Sequence, residues 1–168
     1  MKLTRNRTLS NRNLGGFDYG ETKKNIINYF DYMETLEWEW EKLNIQKGLT
    51  ANYDLSTQYR KQPYVKVGKD DMNLSAKELT EERLKECLIN FYWAKNILSK
   101  EEQIYLMEHL INGKYEKEIV DLLGFTNRDS NEYKRIKLSA VYKFGDFLNL
   151  LVEKEQGKEI NGTKNLNR

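Results

Sequence analysis

Between Glu21 and about Gln46 the apolar residues Ile26, Tyr29, Met33, Leu36, Trp40 and Leu43 fall at alternating spacings of three and four. An α-helix turns once in ~3.6 residues, so these positions share one side of it, and the spacing predicts a helix over 21–46 with a single apolar stripe. The stripe follows a seven-residue repeat and can therefore pack within the chain or against a second copy, as in a short coiled coil. About three heptads are few for an independent coiled coil, which favours the first and leaves a homodimer through residues 22–46 as the alternative. The pattern lapses from 47 to 79, where Gly48, Pro63, Gly68 and the run GKDDMN interrupt it and only Tyr64 to Val67 is strand-like. That stretch reads as a linker, of the length that is functional or that orders on a partner.

Periodicity resumes at Thr80, an N-cap type of residue, and Leu84, Leu88, Phe91 and Leu98 mark the next helix face. Ser99 followed by Glu102 is a capping box opening a further helix with Ile104, Leu106, Met107, Leu110 and Ile111 apolar, up to Asn112-Gly113. A short helix from Tyr115 to Leu123, with Ile119, Leu122 and Leu123 inward, ends at Gly124, whose missing side chain permits a left-handed cap. Asp129 with Glu132, or else Ser130, can cap the last helix. On it Tyr133, Ile136, Ala140, Phe144, Phe147 and Leu151 recur at helical spacing, as far as about Glu155. The expected fold is all-α: a basic flexible arm (1–20), a long N-terminal helix (21–46), a linker (47–79), a helical domain (80–155) and a flexible tail (156–168).

Composition narrows the function. Twenty-eight Lys and Arg against 26 Asp and Glu leave a net charge of +2 over 168 residues, so any cationic surface is local. The single cysteine, Cys87, excludes an internal disulfide and, with one histidine, His109, a zinc site of the usual ligands. Cys87 reads as a small buried hydrophobe and His109 as an ordinary helix residue; no metal or other cofactor is expected. No apolar run approaches the ~20 residues that cross a bilayer, which predicts a cytoplasmic protein without membrane contact. Asp70-Asp71 and the glutamate pairs have no positioned partner and no glycine-rich phosphate loop is present, so catalysis is not expected.

The strongest signal is the order short helix, glycine turn, longer helix over 115–145, which is the grammar of a helix-turn-helix. From Arg128 to Lys137 four cations face two acids, a local charge of +2, whereas residues 99–123 carry three basic and six acidic side chains. Positive charge thus gathers where a recognition helix would meet the major groove. The stretch LSKEEQIYLMEHLINGKYEKEIVDLLGFT, followed by YKRIKLSAVYKFGDFL, resembles region four of bacterial sigma factors, and more closely the ArpU/RinA-like phage regulators that carry such a region. The similarity covers about fifty residues, Leu98 to Leu148, and is most specific at Tyr133-Lys134-Arg135-Ile136-Lys137 with Ala140 and Lys143. It implies a phage or prophage activator of late genes and places Ser130, Asn131, Lys134 and Arg135 on the DNA side. Asn127-Arg128-Asp129 makes the turn about three residues longer than in sigma factors, a departure that bears on the contact set.

The candidate DNA-binding residues are therefore Arg128, Ser130, Asn131, Lys134, Arg135 and Lys137, with double-stranded DNA the expected partner. The arm, with Lys2, Arg5, Arg7 and Arg12 and no acid before Asp18, is either a disordered leader or a reach toward phosphates. A competing reading is an adaptor that holds RNA polymerase or another helical partner without reading DNA. Trp38 and Trp40 mark its interaction surface, Trp38 the more exposed because Trp40 lies on the stripe.

Overall fold

The computed structural model describes residues 16–46 and 77–154. Its described elements are helical, in the order α1 (Tyr19–Gln46), α2 (Glu81–Asn96), α3 (Lys100–Ile104, continued as a π-helix over Tyr105–Ile111), α4 (Glu116–Leu122) and α5 (Asn131–Phe147). The N-terminal arm up to residue 15, the linker from 47 to 76 and the tail from 155 lie outside the described residues.

The stripe on α1 is used within the chain. Ile26, Tyr29, Met33, Leu36 and Trp40 are all buried, joined by Thr22 and Phe30, and α1 packs against α2, α5 and the π segment. This corrects the alternative of a homodimer through 22–46: the side that would face a second copy already faces the core. It also removes Trp40, 7% exposed, from the interaction surface, while Trp38 stands 60% exposed on the far side of the helix. The three long helices meet at an aromatic junction. Phe30 stacks on Phe144 at 5.4 Å and meets Phe91 edge-on at 5.1 Å, and Phe91 lies edge-on to Phe144 at 6.4 Å. Such pairs add ~0.5–1.5 kcal/mol each beyond the area they bury.

The caps expected for α2 and α3 form. Thr80 Oγ1 accepts the Arg83 amide at 3.3 Å to open α2. Ser99 Oγ accepts the Glu102 amide at 3.2 Å while Glu102 Oε2 accepts the Ser99 amide at 2.9 Å. Leu84, Leu88, Phe91 and Leu98 are buried as their spacing predicts, and Cys87 is buried beside them. The π ladder after Tyr105 was not predicted. Its wider turn, closed by the Asn112 amide on Met107 C=O at 2.9 Å, carries Tyr105, Leu106 and Leu110 together into the core.

α5 ends earlier than the periodicity suggests, at Phe147 rather than near residue 155. Asn149 takes a left-handed φ of 58° and the Leu150 amide bonds Gly145 C=O at 2.7 Å, turning the chain back toward α1. Residues 150–154 then run beside the start of α1. Asn25 Nδ2 donates to Leu150 C=O at 3.1 Å, the Val152 amide to Thr22 Oγ1 at 3.0 Å, and the Asp18 amide to Val152 C=O at 2.7 Å. Phe17 is buried there against Tyr142, so residues 17–20, assigned to the flexible arm by composition, belong to the folded unit. Gly145 makes the approach feasible: a Cβ there would come within 3.0 Å of both Leu151 and Thr22 side chains.

Glu102 does more than cap. Only 5% exposed, it accepts the Ser139 hydroxyl at 2.7 Å and the Lys143 ammonium at 2.9 and 3.1 Å, so one carboxylate joins the start of α3 to the middle of α5. Glu102→Ala strands a half-buried ammonium and opens both contacts; it is expected to cost about 2–4 kcal/mol, less than a fully buried pair because a quarter of Lys143 reaches water. Urea unfolding checks this, and an unchanged midpoint would show that the carboxylate does not hold the two helices together.

Candidate nucleic-acid interface

The turn before α5 spans the eight residues 123–130. Gly124, at φ +77°, terminates α4, with the Phe125 amide on Val120 C=O at 3.0 Å. Asn127 Oδ1 then accepts the Asp129 amide at 3.0 Å and Asn127 C=O the Ser130 amide at 3.4 Å, a side-chain turn that brings Ser130 to the helix start. Ser130, not Asp129, is the N-cap: its Oγ accepts the Tyr133 amide at 3.2 Å.

From this cap the two sides of α5 separate. Tyr133, Ala140, Val141 and Phe144 are fully buried. On the opposite side Asn131, Lys134 and Arg135 are exposed, and Arg128 is exposed in the turn just before them. Lys134 Nζ lies 3.9 Å from Asp129, a pair with both side chains more than half exposed and of small energetic consequence. Five of the six proposed contact residues thus gather at one helix start, Ser130 with its side chain engaged as the cap.

Lys137 is the exception. Two residues beyond Arg135 the helix has turned ~200°, and Lys137 faces inward. Its ammonium lies 2.7 Å from Glu116 Oε1 on α4 and 5.5 Å above the Tyr19 ring. Lys137 therefore bridges the two helices and leaves the contact set. With its charge neutralised by Glu116, the open end carries Arg128, Lys134 and Arg135 against Asp129 and Glu132, a net +1 rather than +2.

Beneath this end lies a polar cluster that periodicity does not reveal. The Tyr19 and Tyr105 hydroxyls share a short hydrogen bond between α1 and the π segment. Burial pushes the Tyr19 phenol up to about 12, the bond to Tyr105 opposing it and the charge of Glu116 assisting. Burial also raises Tyr105 and Tyr133, with the neighbouring charge of Glu116 adding to both. Tyr133 Oη meets no partner in hydrogen-bond geometry among the described residues. Burial pushes the Glu116 carboxyl up, but the hydrogen bond and charge of Lys137 outweigh it and hold Glu116 below the usual carboxylate range. His109 stacks beside Tyr105 and its Nδ1 lies 2.7 Å from Lys114 C=O, a helix-end contact.

On α4 the inward residues are Ile119 and Val120. Leu122, expected inward, is 58% exposed, and Tyr115 80%, because the helix buries only the side that meets the π segment, reaching α5 through the Glu116–Lys137 pair. Among the described residues no group of His, Cys, Asp and Glu is placed to hold a metal ion, and no helix is long and apolar enough to cross a membrane. Compared with protein-family models, curated proteins and solved structures, the chain matches none.

The tyrosines separate two energetic situations. Tyr19→Phe leaves the Tyr105 hydroxyl buried without its partner and is expected to cost about 1–3 kcal/mol, whereas Tyr133→Phe removes a hydroxyl that faces the Glu116 carboxylate outside good hydrogen-bond geometry and should change stability by less than ~1 kcal/mol. Denaturant titrations that rank the two the other way round would contradict the geometry. The pH dependence follows from the raised phenols. A buried phenol that ionises more easily once unfolded contributes stability in full below the ordinary tyrosine value near ~10 and loses it as pH rises toward the folded value. Melting temperature should therefore fall between about pH 10 and 12, and fall less steeply in Tyr19→Phe.

Proposed function

We propose that the chain is a DNA-binding transcriptional regulator that reads the major groove with α5, α4 and the turn completing a helix-turn-helix. The observation that carries this is the divided helix: Asn131, Lys134 and Arg135 project from the side opposite Tyr133, Ala140 and Phe144, beside Arg128. A helix needs that division to lock onto its neighbour while offering donors to phosphates and base edges. Arg135 and Asn131, on the outward face, suit guanine and adenine edges; Lys134 and Arg128 suit phosphates. The sequence resemblance to ArpU/RinA-like regulators supports a phage or prophage late-gene activator acting in the cytoplasm, with no catalytic step of its own. Since the α1 stripe is consumed within the chain, one asymmetric site, not paired half-sites, is the expected target.

Arg135→Ala should weaken binding to the preferred duplex by about 1–3 kcal/mol and relax specificity at one base pair. Lys134→Ala should weaken all duplexes alike and reduce the slope of log affinity against log salt by about 1. Lys137→Met, by contrast, should leave that slope unchanged, because Glu116 already neutralises the ammonium. Gel-shift titrations across a salt series measure all three, and binding indifferent to both Arg135 and Lys134 would remove α5 from the interface. The second reading, an adaptor for RNA polymerase or another helical partner, draws on Trp38 and on Ile45, 60% and 75% exposed and two turns apart on α1. Failure to bind any duplex even at low salt would favour it.

A further inference from the structure

The outward row of α5 does not consist of polar residues alone. Asn131, Arg135 and Leu138 follow one another at spacings of four and three, so the leucine returns to within ~20° of Asn131 after two turns. Of the other apolar residues on these turns, Tyr133 is buried and Ile136 lies ~140° round the helix from Asn131. Leu138 is half-buried: part of it packs against the core and the remainder is open to solvent. Ala140, Val141 and Phe144, on the core side, are fully covered. One turn beyond Leu138 the N-terminal segment crosses the helix, with Phe17 edge-on to Tyr142 at 5.6 Å. Leu138 is therefore the last open position of the row before that crossing.

Leucine has no donor or acceptor and cannot tell base edges apart by hydrogen bonding. In the major groove the apolar group is the C5-methyl of thymine, while purine and cytosine edges offer donors and acceptors. Pressed against one of those, an isobutyl side chain would strip water from a polar atom and return nothing. We propose that Leu138 reads a thymine methyl, beside the base edges met by Arg135 and Asn131. The inference rests on the DNA-binding reading of α5 and deepens it, because it requires a thymine at one set position of the target. A partly exposed leucine is ordinary by itself; its place in the row with Asn131 and Arg135 is what assigns it a partner. Seven residues at ~1.5 Å each put Leu138 about 10 Å along the helix from Asn131. Base pairs stack ~3.4 Å apart, so the thymine lies within about three pairs of the base that meets Asn131.

The test selects a preferred duplex from a random synthetic pool with the full chain, then replaces each of its thymines in turn by uracil. Uracil keeps the pairing and removes only the methyl, and synthetic DNA carries no methylated cytosine, so thymine is the one source of that group. One replacement should weaken binding roughly fourfold, the contribution of a single buried methyl. Leu138→Ala should bind the thymine and uracil duplexes equally, and Leu138→Met, which keeps an apolar reach, should retain the preference. A leucine that only packs would, on truncation, weaken both duplexes alike and leave their ratio unchanged. The scan with the wild-type chain needs no variant to fold. Wild-type binding indifferent to every uracil, or a thymine preference that persists in Leu138→Ala, would overturn the proposal while leaving DNA binding in place. Failure to select any duplex would instead remove the DNA-binding reading, and this inference with it.

Discussion

The orientation of α5 depends on one buried carboxylate. Glu102 receives three kinds of donor: the Ser99 amide at the start of its own helix, the Ser139 hydroxyl, and the Lys143 ammonium. A carboxylate this deep is tolerated only when its lone pairs are met, and the three donors come from two different helices, so their geometry holds only if α3 and α5 keep their relative position. The aromatic junction of Phe30, Phe91 and Phe144 supplies attraction without much direction. Glu102 supplies direction, because hydrogen bonds of 2.7 to 3.1 Å fail when one helix slides by a residue.

Lys137 and Glu116 act in the same way one turn earlier. Their pair fixes α4 against α5, and the Tyr19 ring under the ammonium ties the start of α1 to both. The end of α5 that carries Asn131, Lys134 and Arg135 is therefore braced from three sides: by its own Ser130 cap, by α4, and by α1 with the π segment. On the proposed reading such bracing is functional, since a side chain reads a base edge only if the backbone beneath it is already placed, and ordering it at the moment of contact would cost affinity.

Much of the fold is legible in the sequence because period and caps are local properties. The stripe from Ile26 to Trp40, the Thr80 cap, the Ser99–Glu102 box and the inward face from Tyr133 to Phe144 each follow from residues within a few turns of one another. What was not legible depends on partners distant in sequence. Lys137 looks outward in any tally of charge and turns inward because Glu116, twenty-one residues away, meets it. Leu122 looks buried by type and is exposed because α4 is covered on one side only. Phe17 and Tyr19 sit at the edge of a basic, glycine-containing terminus, and nothing local announces that Tyr142 and Tyr105 will receive them. The π segment is of the same kind: the widening at Tyr105 accompanies a tyrosine hydroxyl that bonds Tyr19, eighty-six residues earlier.

The same distinction explains why the spacing of the candidate residues follows from the sequence and their net charge does not. Five of the six residues gather at the start of α5 because a helix fixes their spacing, whatever surrounds it. The local charge of +2 falls to +1 because charge is a property of pairs: Glu116 takes Lys137 out of play, as Glu102 takes Lys143 further along α5, leaving the outward face with Arg128, Lys134 and Arg135 against two acids. A surface with so small an excess attracts any polyanion weakly. On the proposed reading this is an advantage, because non-specific phosphate attraction would strengthen every competing site equally while base-edge contacts would strengthen one. Pairing Lys137 with Glu116 and Lys143 with Glu102 would then serve stability and discrimination with the same two side chains, and α5 would keep for a groove those residues whose contacts depend on what the groove contains.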